Sequence, residues 1–557
     1  MRLRPFVLIL SLLLLGADVL PRTGPEGPVV RLSGGSIRGS FQGQSAVFKG
    51  IPYAAPPVGD LRWREPQPVS AWTEVRDATQ PGNACVQDVA GLDAYIQPIA
   101  AAYGASYEIQ PVTSSEDCLY LNVWAPSWPP RGSLPVMVWL HGGSNRIGSG
   151  SETTYDGSSL AAHGVIIVSI NYRLGILGFF NHPDLAAESP HHSSGNYGLL
   201  DQLAALRWVK DNIGQFGGDP ENVTLFGESA GAVDAGLLMT SPLSVHLFRR
   251  VISESGPPFG LGPVRTRAEA EATGVAIAKL AVGTSPSPLV NLRKLPATDL
   301  VKLVNERYKG PNPADWMVDG WVFPQPPAKI YASGGISTVD LMVGLNGREM
   351  SAFRVVTAAR VKNAPRPVEN EGPVQVVRRF ADAAYPLYGG WTYAAIIKYL
   401  FQALFDHDRG IDQAANDMLI ACPLGAMATL TAARTGRVYV YKFDRAVPGK
   451  GESALGAFHG LEIPYVFHAF QDRTWQWLPV TEVDKRLSGE IQAYWTNFAK
   501  AGDPNSPSAA TWPAWDKAPG SYIEFSPDGT PVPRQGFAPP FCDLSLDRLR
   551  GQLSINK

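Results

Sequence analysis

The sequence has little of several features that define common protein classes. Its 557 residues include only four cysteines, far too few for a disulfide-stapled scaffold. Neither sign of charge is in excess, since 48 Lys and Arg oppose 50 Asp and Glu, so no overall field attracts nucleic acid or an anionic membrane. Glycine and proline follow no fixed period, which excludes collagen. Apolar residues make up 45% of the chain, too many for a disordered protein.

Long apolar runs are also missing, except at the N-terminus. Arg2 and Arg4 precede an apolar stretch at residues 6–15, which is the pattern of a secretory signal peptide. The stretch is shorter than the roughly 20 residues that a membrane span needs. We therefore predict a signal peptide over residues 1–22 and a secreted or periplasmic mature chain over residues 23–557. An uncleaved signal anchor is the alternative.

Candidate strands and helices alternate between residues 134 and 255. Leu134–Leu140 and Val165–Ile170 are continuous apolar runs, typical of parallel strands buried on both faces. Apolar residues recur every three or four positions over Asn196–Phe216, which predicts a helix. This alternation of strands and helices predicts an α/β fold with a mostly parallel central sheet flanked by helices. Length suggests three or four domains, but no linker or repeat divides the chain, so we expect one large domain with long insertions.

Two patterns in the second half predict further elements. Val438–Phe443 alternates apolar and polar residues, which indicates a strand nearer the edge of the sheet. Glu490–Lys500 is amphipathic with a helical period, and Gly502 and Pro504 follow it as stop signals.

The pentapeptide GESAG at residues 227–231 fits the pattern G-x-S-x-G. Glycine is frequent here, so the match becomes specific only through its flanks. The short strand Asn222–Phe226 leads in and the helix Ala230–Leu238 leads out, as a nucleophile elbow requires. A serine hydroxyl needs an adjacent base and donors for the oxyanion that forms. We therefore predict that Ser229 is a nucleophile.

The segment HGGS at residues 141–144 follows the predicted strand Leu134–Leu140. One arm of an oxyanion hole belongs at this place, and the amide of Ala230 belongs to the other. A plain glycine turn is the alternative. His141 is expected to be structural, because the catalytic histidine comes last along the chain in this arrangement.

Three stretches resemble a known family in order along the chain: GIPYA at 50–54, SEDCLYLNV at 115–123, and residues 195–231. They resemble the type-B carboxylesterase/lipase family, which includes the cholinesterases. The resemblance runs from about Val29 to the last cysteine. It implies an α/β-hydrolase fold and a Ser-Glu-His triad that needs no metal or cofactor.

The same resemblance implies the role of three residues. Ser229 is the nucleophile, Glu349 in the segment NGRE at 346–349 is the acid, and His459 in FHGLEI at 458–463 is the base. Chain order alone leaves three histidines after Glu349. Of the other two, His407 lies in a charged patch expected at the surface, and His468 lies in an aromatic stretch compatible with the core.

The resemblance also implies that the amides of Gly143, Ser144 and Ala230 hold the oxyanion. Ser144 departs from the family, which usually has a third glycine there. The departure keeps a backbone amide, because only the amide is used. Its side chain puts the geometry of the hole in question but leaves the reaction type unchanged.

The four cysteines allow three pairings, and buried thiols are a further alternative. The resemblance implies the pairs Cys85–Cys118 and Cys422–Cys542. The cholinesterases place a tryptophan in the loop that the first pair closes, where it binds a quaternary ammonium group. That loop contains no tryptophan here, which disfavours choline esters.

These observations together predict a secreted serine carboxylesterase that acts on small-molecule esters and water. No nucleic acid and no stable membrane partner is expected. One alternative is an esterase dedicated to a bulky natural ester, such as a feruloyl or toxin ester. Another is a non-catalytic adhesion protein of the same fold. Such a protein would have lost a triad residue, whereas all three candidates are present here.

Overall fold

The computed structural model describes residues 27–88, 90–108, 112–260, 264–362, 399, 406–435, 437–543 and 546–547. The predicted signal peptide lies outside these ranges. Within them, no helix is both long enough and apolar enough to cross a membrane.

An eleven-stranded mixed sheet forms the centre of the described chain. Its spatial order, with strands numbered along the chain, is β11-β10-β9-β8-β7-β6-β4-β5-β3-β2-β1. The adjacent strands from β10 to β5 run parallel, and antiparallel pairs complete both ends. The strands are β1 (Ser40–Gln42), β2 (Ser45–Pro52), β3 (Tyr120–Ala125), β4 (Leu134–Leu140), β5 (Ile166–Ile170), β6 (Gly218–Glu228), β7 (Arg250–Glu254), β8 (Asp340–Asn346), β9 (Val438–Phe443), β10 (Ser521–Phe525) and β11 (Pro531–Gln535).

Helices cover both faces of this sheet and fill the connections between its strands. Small sheets lie beside it, one of Val29–Arg31, Ser36–Arg38 and Arg76–Asp77, and one of Ala84–Cys85 and Ser114–Ser115. The α-helices are α1 (Ala90–Ala102), α2 (Ser158–Ala161), α3 (Gly175–Phe179), α4 (Pro183–Glu188), α5 (Tyr197–Asn212), α6 (Ala230–Leu238), α7 (Arg267–Val282), α8 (Pro288–Lys294), α9 (Ala297–Arg307), α10 (Pro327–Ser333), α11 (Glu349–Lys362), α12 (His407–Ala415), α13 (Cys422–Thr435), α14 (Glu452–Leu455), α15 (Ile463–Val466) and α16 (Glu482–Ala501).

Two apolar cores lie on opposite faces of the sheet. Successive residues of a strand pack alternately into one core and the other. In β4, Val136 and Val138 pack into one core, while Met137 and Trp139 pack into the other. Side chains alternate along a strand, so a strand covered on both faces must be apolar throughout. This confirms the predicted α/β fold with its mostly parallel central sheet.

Two element predictions can be compared with the structure. Val438–Phe443 was expected nearer an edge, and β9 is the third strand from one end of the sheet, but its tyrosines Tyr439 and Tyr441 are buried. Their hydroxyls made the pattern look polar, although the rings fill the core. The amphipathic helix extends over Glu482–Ala501, because a capping box at Thr481 and Asp484 starts it earlier than the apolar stripe indicates.

Disulfides join Cys85 to Cys118 and Cys422 to Cys542, the pairing that the resemblance implied. Their sequence separations are 33 and 120 residues. The second bridge therefore ties α13 to the C-terminal end of the described chain.

Candidate active site

Ser229 lies between β6 and α6, where the chain turns sharply from strand to helix. Its backbone adopts the uncommon angles φ 55° and ψ −121°. Its amide donates to the Glu254 carbonyl on β7 at 2.8 Å, and its own carbonyl accepts from the Val233 amide at 2.9 Å. Such a conformation persists only where its surroundings enforce it, and it is typical of functional sites. The turn presents the serine hydroxyl at the carboxyl end of the sheet.

Glycines on both sides of Ser229 allow this turn to pack. A Cβ on Gly231 would lie 2.1 Å from the Leu140 carbonyl oxygen, and one on Gly227 would lie 2.7 Å from the same atom. A Cβ on Gly256 would lie 2.2 Å from the Ser229 carbonyl oxygen. The pattern G-x-S-x-G is therefore a steric requirement of this fold at both of its glycines.

His459 follows β9 in the chain and lies between Ser229 and Glu349. Its Nε2 is 2.9 Å from Ser229 Oγ, and its Nδ1 is 2.6 Å from Glu349 Oε2. The Tyr95 hydroxyl donates to the His459 carbonyl at 2.8 Å, and the Phe353 ring lies 5.0 Å from the imidazole between centroids. These contacts fix both the backbone and the ring plane of the histidine.

Glu349 begins α11 directly after β8, and it is fully buried. Its Oε1 accepts a hydrogen bond from the Asn346 amide at 2.6 Å, while its Oε2 contacts the imidazole. Its own amide donates to Asn416 Oδ1 at 3.1 Å. Because a carboxylate only accepts, this geometry selects the imidazole tautomer with hydrogen on Nδ1. Nε2 is then free to accept the proton of Ser229.

The three candidate oxyanion donors lie on two elements. Gly143 and Ser144 lie in the turn after β4, and Ala230 is the first residue of α6. Among the described residues, none of their amides donates to a protein acceptor. Ser144 and Ala230 line the same cavity as Ser229, and the positive end of the α6 dipole lies there. The arrangement suits an anion held by backbone N–H groups.

Glu228 is a further carboxyl beside the triad, and the sequence analysis missed it. Its Oε1 is 3.2 Å from His459 Nε2, but the angle is not that of a hydrogen bond. A Cβ on Gly142 would lie 2.7 Å from Glu228 Oε2, so the turn after β4 approaches this carboxyl closely. Its position next to Ser229 in the pentapeptide could have indicated that it lies near the site. Only the fold shows that its side chain turns towards His459.

Glu462 and Glu254 are two more buried glutamates near the histidine that were not predicted. Glu462, three residues after His459, accepts from Ser255 Oγ at 3.2 Å and from the Asn346 side-chain amide. Glu254 accepts from the Trp495 indole at 2.8 Å. Glu462 lies inside the segment FHGLEI, which served only to identify His459, and Glu254 belongs to no sequence pattern that would have identified it.

Burial raises the pKa of all three of these glutamates, to about 7 for Glu228, to about 8 for Glu254, and well above the usual range for Glu462. For His459, burial lowers the pKa, but the charges of Glu228, Glu349 and Glu462 together raise it to about 10. The protonation of His459 therefore depends on that of Glu228 and Glu462. A proton on Glu228 or Glu462 removes a charge that raises the pKa of His459, and so favours the neutral imidazole.

A cavity of about 950 Å³ opens onto Ser229 and His459. Its wall is largely apolar, which is usual for a small-molecule site that fixes its ligand with few polar groups. The larger apolar lining residues are Val233, Phe259, Trp316, Met350, Phe353 and Ile420, and the charged ones are Arg265, Glu269 and Asp315.

The other histidines considered from sequence take different places. His141 is fully buried and stacks on the Tyr172 ring at 4.4 Å, and burial lowers its pKa to about 4. These are the surroundings of a structural histidine. His468 is exposed, and its Nδ1 is 2.9 Å from Ser488 Oγ, so the core position considered for it is wrong. His407 begins α12.

Comparisons with known proteins extend these observations over most of the chain. The sequence profile of the carboxylesterase family matches residues 26–540. Fumonisin B1 esterase of Sphingopyxis macrogoltabida is 36% identical over 524 residues, covering 90% of this chain and 88% of that protein. Para-nitrobenzyl esterase of Bacillus subtilis (strain 168) is 35% identical over 497 residues, covering 87% of this chain and 92% of that protein.

Solved structures agree with the sequence matches. A thermophilic PNB esterase superposes with a TM-score of 0.75 at 32% identity, covering 94% of this chain and 99% of the other. A PNB esterase superposes with a TM-score of 0.72, also at 32% identity, covering 91% of this chain and 97% of the other.

Proposed function

Since this chain belongs to the carboxylesterase family and hydrolyses carboxylic esters, we propose that Ser229 is its nucleophile, His459 its general base and Glu349 the acid that orients the imidazole. His459 Nε2 takes the proton of Ser229 as Oγ attacks the ester carbonyl. The amides of Gly143, Ser144 and Ala230 receive the oxyanion.

The alcohol then leaves with the proton that His459 carries, and an acyl group remains on Ser229. Water attacks this acyl-enzyme by the same route, with His459 again as the base. Glu349 stabilises the imidazolium in both halves of the cycle.

One observation carries this assignment: the continuous contact from Ser229 Oγ through the imidazole to Glu349, at 2.9 and 2.6 Å. A fluorophosphonate probe tests it, because the probe reacts with an activated serine. We expect mass spectrometry to find the label on Ser229, and we expect Ser229→Ala to abolish both labelling and ester hydrolysis.

Ser255 provides a matched control, because it is a second serine that lines the same cavity. Its hydroxyl donates to Glu462 and not to a histidine. Ser255→Ala should still be labelled at residue 229. A label on Ser255 or Ser144 in the native protein, or full activity of Ser229→Ala, would refute the assignment.

A bulky ester is our second candidate for the substrate, as a narrower form of the same activity. The cavity volume of about 950 Å³ favours it, as does the similarity to a fumonisin B1 esterase. We expect kcat/KM for methyl ferulate or fumonisin B1 to exceed that for ethyl acetate. Equal or lower values for both bulky esters would identify a generalist esterase.

Residues 1–22 are proposed as a cleaved signal peptide, with residues 23–557 as one exported domain. The arginines and apolar stretch at the N-terminus support this, and two disulfides suit an oxidising compartment. N-terminal sequencing of protein recovered outside the cytoplasm should start near residue 23. An intact Met1 would indicate an uncleaved anchor instead.

A further inference from the structure

Three buried polar side chains form a cluster behind the turn that carries Gly143 and Ser144. They are Asn145 in that turn, Gln202 on α5 and Asp234 on α6, with 5%, 0% and 0% of their surface exposed. Asn145 Nδ2 donates to Asp234 Oδ1 at 3.1 Å, and Gln202 Nε2 donates to Asp234 Oδ2 at 2.6 Å. We call these three residues the Asp234 cluster.

Burying the Asp234 cluster lowers the stability of the folded protein. Burial raises the pKa of Asp234 to about 7, although hydrogen bonds from Gln202 and Asn145 oppose the rise. Among the described residues, Asn145 Oδ1 and Gln202 Oε1 are buried with no hydrogen-bond partner. Each amide therefore uses its N–H on the carboxyl and leaves its carbonyl unpaired, which is unfavourable. Apolar side chains of similar volume often replace such buried polar groups with no loss of stability.

The turn beside the cluster has an unusual backbone. Gly143, Ser144 and Asn145 have φ values of 103°, 57° and 55°. Ser144 carries a Cβ, so this left-handed conformation is strained there, whereas a glycine would adopt it freely. The Gly175 amide donates to the Asn145 carbonyl at 2.7 Å, which holds the backbone of the turn on its other side.

Asp234 also stands on the element that carries the other oxyanion donor. It lies four residues after Ala230 on α6, the helix that begins with that amide. One carboxyl thus links α6 to the turn after β4, the two elements that together supply the donors.

We propose that Asp234 is a positioning residue of the oxyanion hole, which holds Ser144 in its left-handed conformation through Asn145. This proposal rests on the proposed function, because it needs Gly143, Ser144 and Ala230 as the donors. The carboxyl, which stands on α6, anchors the turn that carries Ser144 through its hydrogen bond from Asn145. It also explains how this chain functions with serine at a position where the family usually has glycine.

Asp234→Leu tests the proposal, because it removes both acceptors and keeps the same number of side-chain heavy atoms. We expect kcat for a 4-nitrophenyl ester to fall about 10- to 100-fold with little change in KM, since small misplacements of reacting groups have such effects. The inhibition constant of a trifluoromethyl ketone, whose adduct on Ser229 places an oxyanion in the hole, should rise by a similar factor.

Asp234→Asn is the conservative variant. Its side-chain amide accepts from one neighbour and donates to the unpaired carbonyl of the other, so it should keep kcat within about threefold of the native value. If Asp234→Leu does not fold, Asn145→Ala breaks the same link from the turn and should give the same loss in kcat and inhibitor affinity.

The Ser144→Gly background gives the sharpest comparison. Glycine needs no support in the left-handed region, so Asp234→Leu should cost no more than about threefold in that background. An equal loss of kcat with serine and with glycine at 144, or a loss in KM alone, would overturn the proposal.

Asp484→Asn controls for general destabilisation. Asp484 is a fully buried carboxylate at the start of α16 that pairs with Arg445 at 2.8 Å. Its variant should lower Tm and leave kcat unchanged. Fluorophosphonate labelling separates the two hypotheses: a labelled Ser229 with a fully active Asp234→Leu refutes only the positioning role, whereas an unlabelled Ser229 refutes the proposed function.

Discussion

Glu228 and Glu349 lie beside the two different ring nitrogens of His459. Glu349 makes a directed contact with Nδ1 at 2.6 Å, whereas Glu228 lies 3.2 Å from Nε2 without hydrogen-bond geometry. The first carboxyl therefore orients the ring, and the second acts on it mainly through its charge. The two residues should respond differently to the same substitution.

Glu349→Gln should reduce kcat by about 10³- to 10⁴-fold with a small change in KM. A neutral amide in place of the carboxylate no longer selects the tautomer that Ser229 needs. Steady-state kinetics and circular dichroism check this, with the exposed Glu482→Gln as the control. Unchanged kinetics in Glu349→Gln would assign the acid role to another carboxyl.

Glu228→Gln should instead move the pH profile of kcat/KM. Glu228 is the largest charge contribution that raises the pKa of His459, so its removal lowers that pKa. His459 as the proposed base must be neutral to act, so we expect activity to rise with pH through this pKa. The acidic limb should therefore shift to lower pH, by about one unit. A shift to higher pH, or none, would contradict the electrostatic role.

At the scale of elements, the turn between β6 and α6 depends on space more than on hydrogen bonds. A Cβ on Gly227 or Gly231 would lie within 2.7 Å of the Leu140 carbonyl oxygen at the end of β4. Strand, turn and neighbouring strand must therefore separate if either glycine gains a side chain.

Gly231→Ala should lower both Tm and kcat, with a stability loss of about 1–3 kcal/mol from overpacking. Gly489→Ala is a matched control, because it lies in α16, is exposed, and has nothing within 4 Å of its Cβ position. It should raise stability by about 0.5–1 kcal/mol. Thermal unfolding of both variants measures the contrast, and a neutral Gly231→Ala would show that β4 can move away.

Sequence patterns predicted some elements well and others poorly. The helix Ala230–Leu238 and the strand Leu134–Leu140 have the bounds expected for them, because a glycine turn and continuous apolar runs mark them. β9 lies near one end of the sheet as predicted, but its tyrosines, which read as polar in sequence, have buried rings. Periodicity describes one element at a time, whereas burial depends on the elements packed against it.

At the scale of the whole molecule, the disulfides close loops of different length. Loop-entropy arguments give about 5 kcal/mol for a separation of 120 residues and about 4 kcal/mol for 33. Replacing Cys422 and Cys542 together by alanine should therefore destabilise the protein at least as much as replacing Cys85 and Cys118. Urea denaturation measures this, and a larger loss for the shorter loop would show that local packing dominates.

By itself, the sequence determined the fold class, the sharp turn at Ser229 and, through the family resemblance, the triad candidates. Those features depend on local steric rules and on chain order, which a single sequence contains. Only the tertiary structure identified the buried glutamates around His459 and the Asp234 cluster behind Ser144. Their residues lie up to about 230 positions apart, and their roles follow from burial and charge, which exist only once the sheet brings distant segments together.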